Sequence, residues 1–292
     1  MTAAVRHAFS VPLTGDRILQ LGGRCLVMGV VNVTPDSFAE STRTLDSGAA
    51  VDAALRIEAD GADLVDIGAE STRPGAGPVD ADEESRRLLP VLRGLAGRLR
   101  IPISVDTYKS GVARAALDEG AAIVNDVSGL RRDPALAGVV ARAGAALVLM
   151  HTRGSPASMD AEAHYTDLIA DVARELRHSV QDAVDAGVPI DRVIVDPGIG
   201  FAKRAEHSYG VLARLPDLAS ALGRPLLVGP SRKSFLRAAS GDRDAPQRDW
   251  ATAAAVTAAV LGGAHIVRVH AVTEMTQVVR AAEQIRRHQQ QS

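Results

Sequence analysis

Cysteine is nearly missing from this sequence. Cys25 stands alone, which excludes an internal disulfide framework and any cysteine-rich zinc module. Aromatic residues make up only 3% of the chain while 46% is hydrophobic, so the core must be built from Val, Leu, Ile and Ala rather than stacked rings. Neither sign of charge dominates. The 33 basic and 35 acidic residues leave a net charge of −2, which excludes a chain-wide basic field for nucleic acid or an anionic membrane. Met1 to Asp16 contains no apolar run of the kind a signal peptide needs. No segment supplies the ~20 strongly apolar residues of a membrane span. The most apolar stretch, Trp250 to His270, is rich in alanine and interrupted by Gly262, Gly263 and His265; it reads as a buried helix followed by a strand. A cytoplasmic, globular protein without nucleic-acid or membrane partners is expected.

What the sequence does contain is a recurring unit. A short run of Val, Ile and Leu ends in a polar residue, and a longer helical pattern follows. Eight such runs occur, at Cys25–Val31, Asp63–Ile67, Ile101–Val105, Ala122–Val124, Ala146–Met150, Arg192–Val195, Leu226–Val228 and His265–Val269. Their unbroken apolar character suits parallel strands buried on both faces. Between them, Leu168, Ile169, Val172, Leu176, Val180 and Val184 form one stripe at helical spacing within a helix expected over Asp160–Ala186, ended by Gly187 and Pro189. Gly61, Gly120, Gly144 and Gly223 sit just before strands, where helix C-caps belong. Eight units of this kind predict an α/β fold, a (β/α)8 TIM barrel, with an open doubly wound sheet as the rival. Residues 1–24 precede the first unit, and Phe9–Arg24 reads as an N-terminal β-hairpin turning at Thr14, Gly15 and Asp16 and placed to close the lower end of the barrel. The chain is expected to form a single domain over 1–292.

In barrels of this type chemistry gathers at the C-terminal ends of the strands. Those ends carry Asn32, Thr34 and Asp36; Asp66 and Glu70; Asp106; Asn125 and Asp126; His151; Asp196; Ser231, Arg232, Lys233 and Ser234; and Arg268 and His270. Each could be a helix cap or a turn residue. It is their recurrence at all eight ends that points to a site. Carboxylates dominate the second, third, fourth and sixth ends, while Arg232, Lys233, Arg268 and His270 crowd the seventh and eighth, where such barrels often bind phosphate. The segments Pro35–Asp46 and Ala69–Asp80 are long for strand-to-helix loops and are expected to close over substrate.

Eight motifs lie at these ends, in order: Asn32-Val-Thr-Pro-Asp-Ser-Phe38, Asp66-Ile-Gly-Ala-Glu-Ser-Thr-Arg-Pro-Gly75, Ser104-Val-Asp-Thr-Tyr-Lys109, Val124-Asn-Asp-Val127, Met150-His151, Asp196-Pro-Gly-Ile-Gly-Phe201, Ser231-Arg-Lys-Ser-Phe235 and Arg268-Val-His270. Together they resemble the dihydropteroate synthase family of pterin-binding enzymes. The resemblance runs from about Val27 to the C-terminal helix.

The resemblance implies condensation of 4-aminobenzoate with (7,8-dihydropterin-6-yl)methyl diphosphate, with Mg²⁺ present, to give 7,8-dihydropteroate and diphosphate in folate biosynthesis. It also implies sensitivity of the 4-aminobenzoate pocket to sulfonamides, and a homodimer. Residue by residue, it places the pterin on Asp106, Asn125, Met150, Asp196 and Lys233, and the diphosphate on Asn32, Arg268 and His270. Asn32 is then the protein's contact to Mg²⁺. The 4-aminobenzoate falls near Phe38, Thr72, Arg73, Pro74, Phe201 and Ser234. Lys233, Arg73, Asp106 and Glu40 are the expected catalytic set. Many members carry Asp where this chain has Glu40, and glycines where it has Ser41 and Thr42. Pro230 stands where Thr or Ser often precedes Ser231, and Ala271 where an Asp often follows the His. Two alternatives remain at this stage: a pterin-binding methyltransferase acting on methyltetrahydrofolate, and a non-catalytic pterin-binding paralogue.

Overall fold

A computed structural model describes residues 4–34, 47–71, 77–155 and 157–291. The long segment expected at 35–46, and residues 72–76 of the second long segment, lie outside the described residues.

Eight parallel strands form the centre: β3 (Leu26–Asn32), β4 (Leu64–Gly68), β5 (Ile103–Asp106), β6 (Ile123–Asp126), β7 (Ala146–Met150), β8 (Val193–Asp196), β9 (Leu227–Val228) and β10 (Ile266–Val269). They follow the order β8-β7-β6-β5-β4-β3-β10-β9. A single bridge between Val195 and Leu226 joins the outer pair, supported by Val195 N–H donating to Pro225 O at 3.0 Å. The sheet thus closes into the expected barrel rather than the open alternative. All eight runs read from sequence became strands. Most strands begin a residue or two later than expected, and the polar end residues Asn32, Asp106, Asn125 and Asp196 are ladder members rather than loop residues.

Helices connect the strands: α1 (Ser47–Ala59), α2 (Ala81–Leu95), α3 (Ser110–Asp118), α4 (Ala135–Ala143), α5 (Leu168–Asp185), α6 (Ala205–Ala213), α7 (Leu215–Leu222), α8 (Arg237–Ser240), α9 (Asp249–Leu261) and α10 (Val272–Gln291). The helix expected from Asp160 begins instead at Leu168. The Asp167 carboxylate accepts from Ile169 N–H and Ala170 N–H at 3.1 Å and so sets the N-cap. The preceding turns bury Met159 and Ala163. The helix expected after Trp250 is present as α9, but only one face is covered, through Thr252, Ala255, Val256, Ala259 and Val260. Trp250 itself is 90% exposed, because it sits in the first turn on the side facing away from the barrel.

β1 (Phe9–Pro12) and β2 (Ile18–Leu21) make the N-terminal hairpin. Its turn uses left-handed backbone at Gly15 (φ 67°) and Asp16 (φ 58°), two residue types that tolerate it. Val11, Leu13, Leu19 and Leu21 pack against Leu26, Met28, Leu64, Ile123, Val148, Ile194 and Ile266. These barrel residues are the inward-facing positions at the strand starts, so the hairpin plugs the lower opening. Each fully buried Val or Leu there contributes about 1.5–3 kcal/mol. His265 ties the leading segment down: Nδ1 accepts from Leu226 N–H at 3.1 Å, Nε2 lies 3.0 Å from His7 O, and the ring meets Phe9 edge-on at 5.3 Å. A second cluster, with Val27, Val65, Val105, Val124, Leu147 and Val195 facing outward, joins the strands to the helices.

Candidate active site

The two-residue period of a strand explains how the site arises. On β4, Leu64 faces the plug and Asp66 lies two residues further along the same row. β6 repeats this with Ile123 and Asn125, β7 with Val148 and Met150, β8 with Ile194 and Asp196, and β10 with Ile266 and Arg268. Each inward row is apolar at the strand start and changes chemistry at its C-terminal end. Asp106 continues the Ser104 row on β5, and Asn32 the Met28 row on β3. Asp126 has the opposite parity. Its carboxylate faces outward and accepts from Ser128 N–H (2.7 Å) and Leu130 N–H (2.6 Å), so it shapes a turn instead of the cavity.

The upper rows converge. Arg268 Nε donates to Asp66 Oδ2 at 2.6 Å, and its NH2 donates to Asp106 Oδ2 at 2.9 Å. Asn125 Nδ2 donates to the same Asp66 oxygen at 3.0 Å. Asp66 is fully buried, and its other oxygen has no partner within the chain. Burial raises the Asp106 carboxyl above its usual range, with the Arg268 guanidinium opposing. On the facing wall Asp196 accepts from Gly198 N–H at 2.7 Å. Burial raises its pKa too, while the Lys233 ammonium works against the rise. Lys233 Nζ donates to Ile199 O at 2.5 Å and lies 4.4 Å from the centre of the Phe201 ring. Burial lowers its pKa to about 8, opposed by Asp196. Ser234 is exposed at the start of the short 3-10 turn Ser234–Leu236 that follows. Ser231 Oγ accepts from His270 N–H at 3.2 Å and lies 3.0 Å from His270 Nδ1.

This corrects the separation of charges expected from sequence. Cations and carboxylates interleave, because a carboxylate excluded from water needs a compensating partner. Arg232 leaves the rim altogether. Its backbone is left-handed (φ 59°), and its guanidinium grips Asp249 at 2.8 and 2.7 Å, with Thr252 Oγ1 accepting from its N–H at 3.0 Å.

The segment after β8 is tightly wound. Gly198, Gly200 and Ala202 have φ of 68°, 75° and 47°. A Cβ on Gly198 would lie 1.9 Å from His151 O, so only glycine fits there. Four side chains pin this segment: Lys233 on Ile199 O, Lys203 on Phe201 O at 3.2 Å, Tyr165 Oη on Ala202 O at 2.8 Å, and Ser208 Oγ accepting from Gly200 N–H at 3.2 Å.

Of the site residues expected from sequence, Asn32, Asp106, Asn125, Met150, Asp196, Phe201, Lys233, Ser234, Arg268 and His270 therefore come together at one end of the barrel. Phe38, Glu40, Thr72, Arg73 and Pro74 lie outside the described residues. Two participants carry no role in the sequence motifs. Asp66 is a strand-end residue whose inward parity with Leu64 marks it. Lys203 had a different signal. The chain contains only three lysines, Lys109, Lys203 and Lys233, among its 33 basic residues, and all three follow C-terminal strand ends. Lys109 there bridges Glu70 and Glu84.

Comparison with known proteins agrees with this geometry. The model of the pterin-binding enzyme family matches residues 28–270. A dihydropteroate synthase of Synechocystis is 43% identical, with 94% of this chain and 95% of that protein covered. Among solved structures, a Xanthomonas albilineans dihydropteroate synthase with 4-aminobenzoic acid superposes with a TM-score of 0.87 at 40% identity, covering 94% of this chain and 98% of that one. A Yersinia pestis dihydropteroate synthase in a sulfonamide complex gives 0.88 at 37% identity, covering 95% and 99%. The chain belongs to the dihydropteroate synthase family of pterin-binding enzymes.

Proposed function

We propose that this chain condenses 4-aminobenzoate with (7,8-dihydropterin-6-yl)methyl diphosphate to give 7,8-dihydropteroate and diphosphate, a transferase step of folate biosynthesis. The observation that carries the reading is the convergence of Asp66, Asp106, Asn125, Asp196, Lys233 and Arg268 at the C-terminal end of the barrel. A pterin is a flat ring edged with donors and acceptors. Asp196 accepts from its aminopyrimidine N–H groups, Asn125 and Lys233 bond its remaining edge, Asp106 faces the dihydropyrazine side, and Met150 packs on its face. Buried groups that need partners reject ligands lacking them.

The bond from the methylene carbon to the diphosphate oxygen breaks as the aminobenzoate nitrogen bonds to that carbon, and the amine's surplus proton leaves. Arg268 and His270 hold the departing diphosphate, and the electron-rich pterin stabilises positive charge on the carbon. Positioning and electrostatics supply the acceleration without a protein nucleophile. Phe201 and Ser234 are the described residues assigned to 4-aminobenzoate, with which sulfonamides compete; Phe38, Thr72, Arg73 and Pro74 share that role, and Glu40 and Arg73 a catalytic one, on the family resemblance alone.

Among the described residues no group of three or more His, Cys, Asp or Glu is arranged to hold a metal. Asn32, at the C-terminal end of β3, would offer Mg²⁺ a neutral carbonyl, a donor type that suits this ion beside substrate phosphates. The ion would supply charge neutralisation on the leaving group. A cytoplasmic location belongs to the same reading. A homodimer belongs to this reading on the family resemblance.

The test is direct. Purified protein mixed with both substrates and Mg²⁺ releases diphosphate and dihydropteroate in equal amounts, and titration shows 4-aminobenzoate binding only after the pterin diphosphate. Folded protein that releases neither product would overturn the reading.

A further inference from the structure

Lys203 is 5% exposed and is assigned no contact to either substrate. Its Nζ lies 2.7 Å from His151 Nδ1 and donates to Phe201 O at 3.2 Å. When Lys203 is charged its Nζ has donors only, so Nδ1 is then the accepting nitrogen and the proton of His151 sits on Nε2. That nitrogen lies 3.2 Å from Glu175 Oε2, close enough for an electrostatic contact but without the alignment of a hydrogen bond. Glu175 is held in turn by Arg153 (Nε to Oε1, 3.1 Å) and by Arg131 at 2.9 Å. His151 is also fixed through its backbone, its N–H donating to Asp196 O at 2.8 Å. A chain of polar groups therefore runs from α5 through the end of β7 to the underside of the segment that carries Asp196 and Phe201.

The charges around Lys203 come from every neighbouring element. Asp196 on β8 and Glu175 on α5 favour its charged form. Lys233 beyond β9 and Arg153 beyond β7 oppose it. His207 on α6 and the Tyr165 ring, 5.9 Å from Nζ, are uncharged neighbours at neutral pH. Burial lowers the Lys203 pKa to about 7 and holds His151 neutral, near 3. Arginine cannot be tuned in this way. A chain that uses lysine only three times has placed one here.

We propose that Lys203 is a positioning residue for both substrates: it clamps the Phe201 carbonyl to the His151 imidazole, whose backbone N–H holds Asp196 O, and so fixes the segment that presents Asp196 and Phe201. The proposal rests on the synthase reading above. The first test compares the full chain with Lys203→Met, which keeps the length and removes the charge, and with His151→Asn, which keeps an acceptor near Nδ1. Lys203→Met is expected to weaken pterin diphosphate binding about 10-fold and to raise KM for 4-aminobenzoate about 10-fold while kcat falls less than about 3-fold. The acid limb of its kcat/KM profile moves up by about one pH unit. His151→Asn stays within about 3-fold of the parent. A folded Lys203→Met with unchanged affinity, KM and pH profile would overturn the proposal.

The second test is spectroscopic. With ¹³Cε-labelled lysine the chain gives three resonances, and the one lost in Lys203→Met is assigned to Lys203. Its midpoint in the parent is expected to move up by about half a pH unit or more when pterin diphosphate binds, because the ligand fixes Asp196 as an anion. An unmoved midpoint also overturns the proposal. Failure of the synthase reading looks different, since the parent protein itself would then release no diphosphate.

Discussion

Arg268 and Asp66 face each other from β10 and β4, with β3 between them, and Nε meets Oδ2 at 2.6 Å. The carboxylate is fully buried and the guanidinium is four-fifths buried. Removing one partner from such a pair leaves the other excluded from water without compensation, which costs about 3–5 kcal/mol. Arg268→Met is therefore expected to lower stability by about 3 kcal/mol as well as to abolish turnover; urea unfolding separates the two effects. Asp66→Asn, which keeps an acceptor for Arg268, is expected to lose less than half as much.

Arg232 offers the contrasting case. Its guanidinium is spent on Asp249, and both side chains are about a quarter exposed. Arg232→Ala is expected to cost about 0.5–1 kcal/mol and to leave pterin diphosphate affinity within about two-fold. A loss of affinity comparable to that of Arg268→Met would show that Arg232 swings back to the rim.

Gly198→Ala tests the wound segment after β8. The methyl group would meet His151 O at 1.9 Å on a backbone with φ of 68°. Both sterics and conformation oppose it, so a loss of at least about 3 kcal/mol is expected. Weaker pterin binding should accompany it, because Asp196 is two residues away. Calorimetry of unfolding and of ligand binding on the same sample checks both.

His265 predicts an acid-sensitive tether. Burial lowers its pKa from 6.5 to about 4. Above pH 6.5 both folded and unfolded chains carry it neutral. As the pH falls towards 4, the unfolded chain takes up a proton that the folded chain refuses, so stability is lost across that window. His151, held near 3, adds to the loss in the same direction. His265→Asn retains an acceptor near Nδ1 for Leu226 N–H but does not titrate. Its stability, measured by urea unfolding at pH 7.5, 5.5 and 4.5, should fall less steeply than the parent's.

Leu21→Ala separates stability from function. Leu21 is buried in the plug at the opposite end of the barrel from Asp196. Truncation is expected to cost about 2–5 kcal/mol with pterin affinity unchanged at 25 °C.

The barrel was legible in the sequence because its strands are buried on both faces and so read as uninterrupted apolar runs. The one-residue offset at Asp106, Asn125 and Asp196 arises because a polar residue inside a ladder looks the same in sequence as one just beyond it. The inward row of site residues could be read from strand-end positions alone. Partner choice could not. Nothing local in Ser231-Arg-Lys says that Arg232 turns to Asp249 while Lys233 turns inward, since that depends on a left-handed backbone and a helix start 17 residues away. His151 and Lys203 meet across 52 positions, and the start of α5 depended on a single cap at Asp167.

The bridge between Val195 and Leu226 is the thinnest part of the barrel wall, and β9 contributes only two residues to the ladder. Just above that seam, Lys233 reaches from the β9 side to Ile199 O on the β8 side. The stave joint that the backbone scarcely nails is thus fastened by a ligand-facing ammonium. The side chain thus acts as a cross-brace where the ladder is shortest, and wall closure at this seam depends on a single ammonium as well as on backbone pairing.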